Sequence, residues 1–220
     1  ARMLGMPTPE HTRLLTAAAR SILRPLGCVQ KGRSRTWLDD QGWWVGVVEF
    51  QPSAWDRGSY LNVGACWLWE EKDYLSFDVG GRVAGFERFT ETAEFASAAQ
   101  ALAEQAAAEV LALRDRFPTP GHVRALMNRH PKPGIREHIH AGITAGLAGA
   151  YDEGRRHLAL AATETHPAPW VDVLKQRCAE LMPLLQRDGG FEAEIAATVT
   201  RTRRALGLPE WRSSSLIPPG

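Results

Sequence analysis

Two apolar runs separated by a short polar loop constrain this fold more than any other feature. Residues 43–51 read WWVGVVEFQ and residues 60–69 read YLNVGACWLW, with PSAWDRGS between them. Runs this rich in Val and Trp suit strands. The link is too short for the crossover that parallel neighbours need, so the pair is antiparallel. Strand side chains alternate between faces. Trp44, Gly46, Val48 and Phe50 point one way; Trp43, Val45, Val47, Glu49 and Gln51 point the other. Both faces are largely apolar, which predicts a central strand covered on both sides, with Glu49 and Gln51 as polar exceptions. In the next strand Leu61, Val63, Ala65, Trp67 and Trp69 share one face. Tyr60, Asn62, Gly64, Cys66 and Leu68 share the opposite one.

The flanking segments extend this pair into a sheet domain. Residues 33–39 pair with 43–51 around a turn at Asp39–Gly42. Residues 74–79 and 82–86 form two further strands around Gly80-Gly81, a good hairpin turn. Helical spacing of Leu14, Leu15, Ala18, Ile22 and Leu26 predicts an amphipathic helix from Glu10 to Leu26. Thr8 is its N-cap, Pro9 opens it, and Pro25 and Gly27 close it. From Thr92 to Arg116 the chain is Ala-rich, with high helix propensity. Phe95, Ala99, Leu102, Ala106, Val110 and Leu113 form one stripe there. The expected class is α+β: an N-terminal helix, an antiparallel meander sheet and a long closing helix, followed by an all-helical region. Trp67 and Trp69 are expected beneath the closing helix, and one of Trp43 and Trp44 near a surface.

The breakers FPTPG at residues 117–121 divide the chain. Six of the eight tryptophans lie between Trp37 and Trp69. Residues 1–118 hold 13 basic and 15 acidic residues; residues 119–220 hold 13 and 10. The expected organisation is a tail or expression remnant at 1–9, the sheet domain at 10–118, a helical domain at 119–210 and a tail at 211–220. Met3 or Met6 would serve as a natural start, and RSSSLIPPG reads as disordered or weakly docked. Candidate helices beyond the boundary are His122–Arg129, Ile135–Ala150, Asp152–Thr163, Trp170–Leu185 and Phe191–Leu206. The stretch GAYDEGRRHLALA looks like the second half of a tetratricopeptide-type helical hairpin, with small residues where helices cross closely. No second copy follows at a fixed period.

Totals exclude several function classes. A formal net charge of +1 argues against a global basic surface for nucleic acid. No stretch reaches the ~18 apolar residues of a membrane span, and the N-terminus lacks a signal-peptide core. Three well-separated cysteines fit reduced thiols and a cytoplasmic location. No Cys-x-x-Cys, phosphate-binding loop or dinucleotide fingerprint is present. His138 and His140 point about 200° apart on a helix and cannot share a metal. Glu137 and His140 could share one, but the second Glu-x-x-His of a dinuclear site is missing. Neither a metal nor a cofactor is expected.

The runs PLGCVQKGRSRTW, VVEFQPSAW and SYLNVGACWL resemble a bacterial family known as domain of unknown function 4304. The matching positions are Gly27, Lys31, Gly32, Trp37, Phe50-Gln51, Ser53, Asn62 and Gly64. Cys28 stands where that family usually has an aromatic residue, and Glu49 where it usually has Asn. The resemblance covers roughly residues 10–117 and implies a fold but no activity.

The candidate chemistry lies around the loop between the two founding strands. Glu49 and Gln51 share a face, Asn62 begins the next strand, and the loop supplies Ser53, Trp55, Asp56 and Arg57. An aromatic beside a bidentate donor is the usual composition of a recognition hot spot. The candidate binding residues are therefore Gln51, Ser53, Trp55, Arg57 and Asn62. Equally, Gln51, Ser53 and Asn62 could satisfy loop backbone groups. The function expected is a non-catalytic cytoplasmic module for a protein or peptide partner, in an adaptor or immunity-type role. One alternative is a hydrolase using Glu49 or Asp56 with Arg57, acting on a small-molecule ligand. None of the seven histidines falls within residues 12–121 to assist it. A second is nucleic-acid binding by Lys31, Arg33 and Arg35, which would share one face of the first strand. Charged side chains also guard edge strands without any ligand.

Overall fold

A computed structural model describes residues 8–211. The expectations for the first seven residues and for the tail after Trp211 lie outside that range. The chain divides into two compact units. The first holds the residues up to Leu68 together with Lys72–Asp115. The second holds Trp69–Glu71 and the chain from Arg116 onward.

The first unit is α+β, as the patterning predicts. It opens with α1 (Glu10–Leu23), which starts after Pro9 rather than under a Thr8 cap. A 3-10 turn over Arg24–Leu26 contains Pro25, and Gly27 at φ 88° ends it. The left-handed conformation there is why glycine terminates the element. Leu15, Ala19 and Leu23 are the buried residues of α1. The buried face is therefore centred one residue beyond the Leu14–Ala18–Ile22 row.

A five-stranded antiparallel sheet follows in the order β1-β2-β3-β4-β5. Its strands are β1 (Val29–Gln30), β2 (Thr36–Asp40), β3 (Trp44–Gln51), β4 (Gly58–Trp67) and β5 (Val79–Arg88). α2 (Thr92–Arg116) closes the unit. The predicted α2 stripe is buried in full, with Ala103 added. The sheet also buries Trp37, Trp44, Val48, Phe50, Leu61, Val63, Ala65 and Trp67 on one face. Trp43, Trp44 and Trp67 form an aromatic cluster, with Trp43 and Trp67 stacked at 5.7 Å. Both Trp43 and Trp44 are buried, so neither reaches a surface.

Five local expectations need correction. Lys31–Arg35 is a turn between β1 and β2, not strand, so Lys31, Arg33 and Arg35 do not form an alternating row. Ser34 causes this: its hydroxyl donates to the Lys31 carbonyl at 2.7 Å and accepts from Thr36 N–H at 3.2 Å. Such local bonds compete with a sheet ladder. Asp39 and Asp40 belong to β2, opposite Gly46 and Val45, and the turn is Gln41–Trp43. Gly80-Gly81 lies inside β5 rather than at a hairpin tip. Gly80 has φ 92° and crosses the Val63 and Gly64 backbone so closely that a Cβ would collide with the Val63 carbonyl. Residues 72–78 are loop because their polar groups pair locally. Lys72 Nζ meets Ser76 Oγ at 2.8 Å and Asp78 Oδ2 at 2.9 Å, and Asp78 Oδ2 accepts from Trp67 N–H at 2.7 Å. Finally, β4 stops at Trp67, and Trp69 belongs to the helical unit rather than lying under α2.

The second unit contains α3 (Pro120–Met127), α4 (Ile135–Leu147), α5 (Tyr151–Ala162), α6 (Pro169–Leu181) and α7 (Phe191–Ala205). Pro183 falls in a 3-10 turn, Met182–Leu184, that ends α6 early. α4 is central, with every residue from Ile139 to Leu147 buried. Gly142 and Gly154 let α4 and α5 approach, since a Cβ at Gly142 would meet Leu158 and the Gly154 carbonyl. Small residues are needed at that crossing. Trp69 donates its indole N–H to His140 Nδ1 at 3.2 Å, Glu70 pairs with Arg136, and Glu71 pairs with Arg201 at 2.8 Å. All three cysteines are buried and free. Among the described residues no helix is long and apolar enough to cross a membrane.

Candidate functional site

The polar residues predicted as one cluster divide into two groups. The first lies on the sheet. Registry places Glu49 opposite Asn62 and Asn62 opposite Arg82, which puts all three on one face. Asn62 Nδ2 donates to Glu49 Oε2 and to Gln51 Oε1, both at 2.9 Å. Arg82 Nη2 donates to Gln51 Oε1 at 2.8 Å, and Arg82 Nε to Asn62 Oδ1 at 3.4 Å. The Arg82 guanidinium also stands 3.9 Å from the Tyr60 ring centroid. Asn62 is buried, and its amide is fully engaged by this ladder. Glu49, Gln51 and Asn62 are thus held by one another and by Arg82. Arg82 was not legible as a partner, because the sequence places it 20 residues from Asn62, on a strand with a shifted register.

The second group is the loop from Pro52 to Arg57, between β3 and β4. Ser53 Oγ accepts from the backbone N–H of Trp55 at 3.1 Å and of Asp56 at 3.3 Å. That bonding makes the loop a compact turn. Asp56 is paired with Arg88 of β5 at 2.8 Å. The Arg57 carbonyl accepts from Phe89 N–H at 2.9 Å. The Gly58 carbonyl accepts from Arg35 Nη2 at 3.0 Å. Four ties of this kind fix the loop from both sides, and its tip is left to solvent. Trp55 is 93% exposed there.

The loop forms one wall of a cleft of about 560 Å³. Pro9, Glu10 and His11 of the α1 start form the other wall, with Phe89 between. His11 packs against Phe89 at 5.8 Å and Phe95 at 6.4 Å between ring centroids. Burial lowers the His11 pKa below its ordinary value, and the nearby cations Arg35 and Arg57 lower it further. Of the two predicted carboxylates, Asp56 therefore faces Arg88 at the loop and Glu49 faces Asn62 on the sheet. Of the three predicted cations, Arg35 is half-buried against Gly58, while Lys31 and Arg33 are exposed on their turn. Burial lowers the Arg35 pKa from its ordinary value.

A further polar cleft lies in the helical unit. It is lined by His138 of α4 and Glu153, Arg156 and His157 of α5, with Asn128 and His130 from the link between α3 and α4. His138 Nδ1 and His157 Nδ1 are 3.1 Å apart, so a single proton joins two neutral rings. Glu153 is gripped by the Arg124 guanidinium and by Asn128 Nδ2 at 3.1 Å. These bonds hold the Glu153 carboxyl at a pKa of about 2. Sequence reasoning weighed His138 only against His140, two residues away. The partner it finds is 19 residues on, one helix later. Glu137 is spent on the helix start, where its Oε2 accepts from Gly134 N–H at 2.9 Å. Among the described residues no group of three or more His, Cys, Asp or Glu is arranged to hold a metal ion.

No protein-family model, curated protein or solved structure matches the chain. Function therefore has to be argued from the site itself.

Proposed function

We propose that the sheet unit is a non-catalytic binding module that takes a protein or peptide partner on the loop between β3 and β4. Trp55 carries this reading. A single exposed apolar residue needs no explanation in general. Here, however, the exposed indole tops a loop that is tied by Ser53, by Asp56 with Arg88, and by two backbone bonds. Preorganisation of that kind removes the ordering cost that usually opposes association. Trp and Arg are also the residues most enriched in interface hot spots, and Arg57 stands two positions away in the same cleft. The cleft further offers the apolar faces of Pro9, Pro52 and Phe89.

On this reading the chain is a bacterial, cytoplasmic protein of the kind that the resemblance to domain of unknown function 4304 implies. It serves as an adaptor or immunity-type protein, and the helical unit adds a second contact surface. The test is affinity capture from bacterial lysate with the intact chain and with Trp55→Ala, Arg57→Ala and Trp170→Ala as baits. A stoichiometric protein partner should be lost with the first two and kept with the third. A partner that both loop variants retain would place recognition elsewhere.

A further inference from the structure

The cleft beside Trp55 carries uncompensated positive charge. Its two carboxylates each have an arginine of their own. Glu10 pairs with Arg13 at 3.9 Å, and Asp56 with Arg88 at 2.8 Å. Arg57 lines the same cleft and is exposed, and among the described residues its side chain has no ion pair. Arg35, in the turn before β2, does not line the cleft but stands behind it, on the carbonyl of the lining residue Gly58. One guanidinium nitrogen donates to the Gly58 carbonyl at 3.0 Å, while its Nε is buried and makes no hydrogen bond. That guanidinium is closed to a ligand, but its charge adds to the positive field on the cleft side of Gly58. His11 registers the same charge: burial lowers its pKa first, and the Arg35 and Arg57 guanidiniums lower it further.

We infer that the segment this cleft takes is an acidic peptide stretch of the partner, with a carboxylate meeting Arg57, the Arg35 charge behind it reinforcing the attraction, and an apolar side chain lying on Trp55. Guanidinium forks match carboxylates in a bidentate geometry, and an aromatic beside them supplies apolar area. The inference rests on the binding-module reading and narrows it to one chemistry. An acidic peptide is favoured over a nucleic acid on two grounds. Residues 1–118 carry an excess of acidic over basic residues, 15 to 13, which disfavours a long polyanion. Sequence-tolerant strand binding also uses successive exposed aromatic platforms, and of this cleft's aromatic rings Trp55 is exposed while Phe89 and His11 are half-buried.

A random peptide library displayed on phage tests this. It is selected in parallel on the intact chain, on Trp55→Ala and on Arg57→Glu. The intact chain should enrich sequences clustered in Asp and Glu, and both variants should lose them. The leading peptide, synthesised, should bind the intact chain about tenfold or more tighter than Arg57→Glu, and weaken as salt rises. Enrichment that depends on Trp55 but yields neutral or basic peptides would overturn the acidic inference and leave the binding module standing. No Trp55-dependent enrichment at all would overturn both. Trp55-dependent binding of oligothymidylate, with no acidic peptide selected, would overturn the inference in favour of a nucleic acid.

Discussion

Arg114 of α2 grips both carboxylate oxygens of Asp39 in β2, at 2.6 and 3.0 Å, and donates to the Leu26 carbonyl at 2.6 Å. One side chain thereby joins the closing helix, the sheet and the 3-10 turn that follows α1. Asp39 is almost completely buried, while Arg114 keeps part of its guanidinium in solvent. The Asp39 hydrogen bonds are the main reason the Arg114 pKa is raised. Removing the arginine leaves a buried carboxylate without its cation, held by the Gln41 amide at 3.0 and 3.1 Å. Arg114→Met should therefore destabilise the sheet unit by about 3 kcal/mol, at the lower end for broken buried pairs. Arg114→Lys should recover part of that, because an ammonium cannot reproduce the fork. Denaturant midpoints of the two variants check this; equal loss in both would mean that packing, not the fork, carries the effect.

The His138–His157 pair makes the helical unit sensitive to acid. Burial is the first cause of the lowered pKa of each ring, and the proximity of His138 further lowers His157. Glu137 opposes the shift at His138; Glu153 opposes it at His157, where Arg156 and Arg124 reinforce it. The folded pKa values lie below the ordinary 6.5, so folding favours the neutral rings. Their contribution is complete above pH 6.5 and is lost as pH falls from 6.5 through the lower folded values. Glu153 adds a second loss at lower pH, between its ordinary 4.5 and its folded value of about 2. Proton NMR titration should show both imidazoles titrating below the ordinary value. Thermal stability should decline from about pH 7 to about pH 5 in the intact chain and decline less in His157→Gln. An identical decline in that variant would remove the pair as the cause.

Gly80 and Gly81 offer a contrast within one strand. Both have positive φ, 92° and 147°, but a Cβ at Gly80 would strike the Val63 carbonyl while one at Gly81 meets nothing within 4 Å. Gly81→Ala should cost only backbone strain, about 1–2 kcal/mol. Gly80→Ala adds a collision with backbone and should cost clearly more, with loss of the β4–β5 pairing. Hydrogen exchange of the β5 amides distinguishes the two; similar protection in both variants would contradict the close approach.

Trp55→Ala and Arg57→Ala should leave the thermal midpoint nearly unchanged, within about 0.5 kcal/mol, because neither side chain is buried. Ser53→Ala should differ, since it removes the acceptor that holds the Trp55 and Asp56 N–H groups. The loop should then loosen at a cost of about 1 kcal/mol. Backbone relaxation of residues 53–57 reports this. An unaltered loop in Ser53→Ala would show that Asp56 with Arg88 suffices to hold it.

Local chemistry and period determined most of the elements. The Ala-rich run of α2 is bounded as the pattern predicts, because propensity and a single apolar stripe agree along its length. The same holds for α7, which starts at Phe191 as expected. β3 and β4 follow from two Val- and Trp-rich runs apolar on both faces, and the exposure of Trp55 follows from its place in a loop of turn formers. What local pattern could not supply was the pairing between distant residues. Only the register of β4 against β5 brings Arg82 to Gln51 and Asn62, and so joins two of the five predicted binding residues in one hydrogen-bonded ladder. Gly80-Gly81 carries the local chemistry of a turn, yet close approach to the β4 backbone places it in a strand. His138 finds His157, and Arg35 finds Gly58, across spans where sequence distance carries no information. Propensity and periodicity act over a few residues, so the sequence alone determined helices, strands and faces. Hydrogen bonds and charges act across space, so only the tertiary structure decided which polar groups are matched and which are left facing the cleft.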